Sequence, residues 1–230
     1  REEGRILSRA AYVVLGVTTE GYKEILSITV GANETSKFWL GMLNDLKNRG
    51  LKDVLFFCVD GLAGFKEAIS AVYPQSQIQR CVIHMLRNSF KYVNYSDLKK
   101  FSSDFKAVYY APNETVAYSE LEGVKEKWGR KYPYAIRNWE NNWEDVSSFF
   151  QFSQEIRKIM YTTNILEGLN RQYRKVTKTK SVFPSDQSLE KMLYLASENI
   201  TKKWTQRYRG WDQVLNQLIV LYGERLTQYL

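Results

Sequence analysis

The feature that most limits how this chain can fold is a pair of apolar runs on either side of a helical pattern. The first, "DVLFFCVDG" (53–61), leads into "AGFKEAISAVYP", an amphipathic stretch closed by Pro74, and then into "QIQRCVIHM" (77–85). Short apolar runs bounded by turn residues read as buried strands, and the helix between them makes their connection a crossover. A crossover delivers its second strand parallel to its first. Helices must then cover this part of the sheet.

Upstream, "ILSRAAYVVLGVT" (6–18) and "GYKEILSITVG" (21–31) are β-rich runs joined by a short polar turn, the pattern of an antiparallel hairpin. In "ETSKFWLGMLNDLKNRG" (34–50), apolar residues recur at three- and four-residue spacing up to Gly50, which predicts a helix. The resulting order, β-β-α-β-α-β, predicts an α/β architecture with a mixed sheet flanked by helices. From about 95 to 155 the spacing is helical with no convincing strand, so an all-helical insertion is expected. Trp139 and Trp143 lie four apart there and would share one helical face, which suits core packing or a base-stacking platform on DNA. Further amphipathic helices are expected at 188–204 and 211–230. The domain reading is a first core part (1–94), an insertion (95–155), a second core part (156–210) and a carboxy-terminal helix (211–230).

With 44% hydrophobic and 14% aromatic residues, 230 residues can bury a sizeable core, so the chain is globular and not disordered. No apolar run approaches the roughly 18 residues that span a bilayer, and no signal-peptide pattern is present; no membrane role is expected. Two cysteines, Cys58 and Cys81, both in apolar runs, suit a reduced intracellular compartment. The net charge of +8 is concentrated in residues 171–209, where ten basic residues face three acidic ones. Such an excess suggests a polyanionic partner, most simply nucleic acid, with a solvated basic face as the alternative. The opening "REEGR" reads as a polar hairpin turn, which predicts that the chain is a piece of a longer protein.

Within "FFCVDGLAGF" (56–65), Asp60 ends an apolar strand and precedes two glycines. Ligands of such sheets gather at the carboxyl ends of strands. The simpler alternative is an aspartate that starts the turn or caps the next helix. In "YTTNILEGLNRQYRKVTKTK" (161–180), a helical wheel places Leu166, Leu169, Tyr173 and Val176 on one side. Glu167, Arg171, Arg174, Lys175 and Lys178 fall on the other. Asn164 and Glu167 also fit a capping box. Taken together, a carboxylate among basic residues can hold a divalent metal while its neighbours hold phosphates. Two Mg²⁺ ions about 3.5 to 4 Å apart stabilise both the attacking and the leaving oxygen at a phosphodiester. Mg²⁺ prefers oxygen ligands, so Asp60 and Glu167 are suitable, although a third acid on a neighbouring strand is expected.

"CVDGLAGFKEAISAVYPQSQIQRCVIHMLRNSFKYV" and "YTTNILEGLNRQYRKVTK", together with "KFWLGMLNDLKNRG" and "ITKKW", resemble the bacterial insertion-sequence transposases of the Mutator superfamily. The resemblance runs through essentially the whole chain. It implies a ribonuclease-H-like catalytic core with an Asp-Asp-Glu triad, interrupted by a helical insertion before the glutamate. Asp60 would be the second acid and Glu167 the third. The first would lie on a strand before "REEGR", for which Glu2 and Glu3 are poor substitutes, so the chain alone is expected to be impaired or inactive. Cys81 and His84 match the Cys-x-x-His signature of the same superfamily. With one histidine and two cysteines a four-ligand zinc site cannot be completed, so Cys81 is expected in the core. His84 is expected either at the catalytic edge, against the scissile strand, or as a satisfied buried histidine.

The resemblance further implies metal-dependent cleavage of transposon ends and strand transfer to target DNA, with Mg²⁺, or Mn²⁺, at a two-ion site. DNA would be held by Arg171, Arg174, Lys175 and Lys178, in a homodimer or larger assembly, in the bacterial cytoplasm at the nucleoid. The alternatives are a catalytically dead transposase-derived DNA-binding protein and an unrelated nuclease of the ribonuclease-H-like fold.

Overall fold

The computed structural model describes residues 6–31, 35–161, 164–180 and 182–230; the side chains of residues 161, 164, 165 and 167 are outside that description. In chain order the elements are β1 (Ala10–Val17), β2 (Lys23–Gly31), α1 (Ser36–Asn48), β3 (Phe56–Val59), α2 (Phe65–Val72), β4 (Gln77–Arg80) and α3 (Val82–Phe90). Then come α4 (Tyr95–Tyr109), α5 (Glu114–Trp128), α6 (Pro133–Glu140), α7 (Trp143–Ser147), a 3-10 turn (Ser148–Gln151) and α8 (Gln154–Tyr161). The last four are α9 (Asn164–Thr177), α10 (Asp186–Thr201), α11 (Trp211–Tyr222) and α12 (Glu224–Thr227). The fold is mixed α/β, mostly helical with small sheets. None of its described helices is long and apolar enough to cross a membrane.

The expected single mixed sheet is replaced by two two-stranded ones among the described residues. β1 and β2 form the antiparallel hairpin, from Ala10 opposite Gly31 to Val17 opposite Lys23, with an irregularity at Val14/Leu15. β3 and β4 form the parallel pair. Among the described residues each strand finds its ladder partner within its own pair, and no ladder joins the pairs into one sheet. The described residues fall into two units, one drawn from 1–55, 62–76 and 163–230 and the other from 56–61 and 77–162.

In the first unit α1 is capped by Thr35, whose side chain accepts from the Phe38 amide, and it buries Trp39, Met42, Leu43 and Leu46. α1 packs on α2, which buries Ala68, Ile69 and Val72, and the Trp39 indole donates to the Ala63 carbonyl at 3.2 Å. β2 packs on α10, and α9 joins them: Val30, Leu169, Tyr173 and Leu193 form one buried cluster. The Tyr173 hydroxyl meets the Ser197 hydroxyl at 2.6 Å, satisfying two buried polar groups. Arg225 donates to both carboxylate oxygens of Asp53, at 2.7 and 2.8 Å, and to the carbonyls of Val54 and Gln75.

The core of the second unit is aromatic: Phe101, Phe105, Trp139 and Phe149 are almost completely buried. The Trp139 indole donates to the buried Ser89 hydroxyl at 2.9 Å, which in turn donates to the Met85 carbonyl. Trp143 does not share its face. α6 ends at Glu140, so Trp143 starts a new helix, is only half-buried, and donates to Glu114 at 3.2 Å. Asn142 interrupts the helix by turning its side chain back to the Asn138 carbonyl, at 2.7 Å.

Candidate functional site

β3 and β4 run in register from Phe56 opposite Gln77 to Val59 opposite Arg80. The ladder continues one step further, because the Cys81 amide donates to the Val59 carbonyl at 2.8 Å. Asp60 and Cys81 therefore leave the carboxyl ends of adjacent strands side by side. "QIQRCVIHM" is not one strand: it ends at Arg80, and Cys81 becomes the N-cap of α3. A Cys-x-x-His spacing across a helix's first turn puts both side chains on one face. Ligand atoms of Asp60, Cys81 and His84 consequently lie within 4.8 Å of one another.

Asp60 Oδ1 stands 2.5 Å from His84 Nδ1, and both side chains are partly exposed. The Nδ1 atom itself is shielded from solvent. Contact with the Asp60 carboxylate first, and with the Cys81 side chain second, pushes the pKa of His84 up to about 9 against the opposing effect of burial. His84 thus belongs to the acid's surroundings and is not a satisfied core histidine. Cys81 is buried, as expected, whereas Cys58 of β3 is exposed.

Asp60 is not the cap of the following helix. That position belongs to Gly64, with φ +73° and no side-chain hydrogen bond at the cap. A Cβ there would strike Ser36 Oγ, so glycine is required on two counts. A Cβ on Gly61 would strike the guanidinium of Arg80, which lies against the Gly61 backbone and donates to Asn142. Arg80 is a site residue that the apolar pattern does not single out. Its signal is register: it ends the strand paired with the one that ends in Asp60.

Glu167, Arg171, Arg174 and Lys175 belong to α9, in the first unit, and Lys178 follows the helix's end at Thr177. The helix forms as expected, with Leu169 and Tyr173 buried and Arg171, Arg174, Lys175 and Lys178 all exposed. The Glu167 side chain and that of Asn164, needed for the capping box, lie outside the described residues, as do Glu2 and Glu3.

A family profile, "Transposase, Mutator family", matches residues 1–207. The chain belongs to the Mutator family of transposases. It is 41% identical over 98% of its length to a transposase for insertion sequence element ISRM3 of Rhizobium meliloti, and spans 56% of that protein. A probable insertion-sequence transposase of Corynebacterium diphtheriae is 36% identical over the whole chain, which covers 73% of it. The IS905 transposase of Lactococcus lactis is 32% identical over 95% of the chain and 56% of its own length. This Mutator-family chain thus spans little more than half of two of these three relatives.

A hard divalent ion fits only part of the Asp60 corner of this transposase-family chain. The Asp60 carboxylate is partly exposed at a strand end and can accept Mg²⁺, but the neighbouring thiol and imidazole are poor Mg²⁺ ligands.

Proposed function

We propose that the chain is the catalytic part of an insertion-sequence transposase that cuts DNA at the element's ends and joins them to target DNA. The observation that carries this reading is the placing of Asp60, in a chain of this family, at the carboxyl end of a parallel strand. There it faces the family's Cys-x-x-His pair and adjoins Arg80. Carboxyl ends of parallel strands are where α/β sheets bind ligands.

The reading takes the fold as ribonuclease-H-like, with residues 95–155, from α4 to the start of α8, as the insertion before the Glu167 helix. Asp60 and Glu167 act with a further acid, and they are the residues that would hold Mg²⁺, or Mn²⁺. Such an ion supplies positive charge for the attacking and leaving oxygens. Water opens the phosphodiester at the element end and leaves a 3′-hydroxyl. That hydroxyl attacks a target phosphodiester, forming one P–O bond as another breaks. His84 holds the Asp60 carboxylate in place and lies against the scissile strand. Arg171, Arg174, Lys175 and Lys178 hold the DNA backbone, an electrostatic contact that fixes position without reading sequence. Two ends must be handled together, so the working form is a dimer or larger.

Glu167→Gln in the full-length protein tests the assignment. Loss of end cleavage with retained binding of end DNA is expected. Cleavage at the wild-type rate would return Glu167 to a capping role.

A further inference from the structure

The donor set beside Asp60 is one carboxylate oxygen, one thiol sulfur and one imidazole nitrogen, all within 4.8 Å. Among the described residues it is the one such group of three. Cysteines and histidines alone leave a zinc site short of ligands, but the fold adds Asp60 as the third. Zinc sites with three protein ligands keep the fourth position for water. Zinc bonds of about 2.0 to 2.3 Å place neighbouring ligand atoms about 3 to 4 Å apart, so small side-chain rotations close this cluster on an ion.

We infer that Asp60, Cys81 and His84 form a binding site for a thiophilic divalent cation of the Zn²⁺ class, with water as fourth ligand. Binding parts the 2.5 Å contact between Asp60 and His84, with the ion taking the place between them. Cys81 binds as thiolate and releases its proton to solvent. The site is selective by softness: sulfur and nitrogen favour Zn²⁺ or Co²⁺ over Mg²⁺. If Asp60 is the catalytic acid, a consequence that rests on the proposed function, the bound ion occupies that acid and blocks Mg²⁺-supported cleavage.

Cobalt titration of the full-length protein tests binding without recourse to activity. The expected result is a thiolate-to-cobalt charge-transfer band together with the intense visible absorption of four-coordinate Co²⁺. Both persist in Cys58→Ser, and the charge-transfer band is lost in Cys81→Ser. Asp60→Asn and His84→Gln should weaken Co²⁺ binding by at least about tenfold, the loss that even outer-shell changes cause. His84→Gln also covers the case in which Cys81→Ser does not fold, as judged by circular dichroism. Absence of the band at saturating Co²⁺, a band that depends on Cys58, or unchanged affinity in His84→Gln would each overturn the inference. A second arm measures cleavage in Mg²⁺ with added Zn²⁺. Inhibition in the wild type that is relieved in Cys81→Ser is expected. Cobalt binding without such inhibition would overturn the catalytic role of Asp60 and leave the metal site standing.

Discussion

The carboxylate of Asp60, at the end of β3, meets the imidazole of His84, in the first turn of α3, at 2.5 Å. The contact exists because the β3–β4 ladder brings Asp60 level with Cys81, and one helical turn then carries His84 back over the strand ends. A strand-end acid and a Cys-x-x-His motif, separate in sequence, become one site.

Arg80 depends on Gly61 for its place. In Gly61→Ala the new methyl group meets the guanidinium and displaces it from Asn142. The expected cost is about 0.5 to 1.5 kcal/mol, that of one hydrogen bond, together with weakened DNA cleavage. Urea denaturation and an end-cleavage assay check this, and wild-type values in both would remove Arg80 from the site.

The basic side of α9 should contribute the electrostatic part of DNA binding. Replacing Arg171 and Arg174 by glutamate is expected to weaken binding to all sequences. The plot of log affinity against log salt should flatten by about 0.9 for each phosphate that the variant no longer neutralises. An unchanged slope in a fluorescence-anisotropy titration would leave these residues as a solvated face.

The periodic parts of the fold are legible in sequence. The hairpin, α1, α2 and α9 announce themselves through local spacing, and the buried Leu169 and Tyr173 with exposed Arg171, Arg174, Lys175 and Lys178 follow the helical wheel. What spacing does not carry is non-local or a matter of boundaries. The apolar runs predict four strands in one sheet, yet strand partners are chosen by ladder contacts that apolar patterning does not encode. Cys81 reads as strand because its neighbours are apolar, although its backbone turns there into α3. Trp139 and Trp143 keep helical spacing across a break that the Asn142 side chain makes. For the site, Asp60 and His84 are visible singly in sequence, while their contact and the place of Arg80 come only from register.

The Asp53–Arg225 pair predicts an acid sensitivity. The Arg225 guanidinium holds the Asp53 carboxyl below its usual value of 3.8. A lowered folded value means the pair's stabilisation is fully present above the unfolded value and fades as pH falls below it. Wild type should therefore exceed Asp53→Asn in thermal stability at pH 7, with the gap narrowing below about pH 4. A gap independent of pH would contradict the charged pairing.

Trp139 tests the second unit's core. Trp139→Phe loses the hydrogen bond to Ser89 and should cost about 1 to 3 kcal/mol, while Trp139→Ala should cost about 3 to 5 kcal/mol. Chemical denaturation reads both. Equal losses in the two variants would mean that the indole volume is not what fills this space.

The most direct test of the account is DNA cleavage by full-length Asp60→Asn, an isosteric change that removes the charge and keeps the shape. With a DNA substrate carrying the element's ends and Mg²⁺ present, cleavage should fall below detection while end binding in a gel-shift assay stays within about twofold of wild type, well under the tenfold that 1.4 kcal/mol represents. Cleavage by Asp60→Asn at a rate near wild type would contradict the central claim that this strand-end carboxylate carries the chemistry.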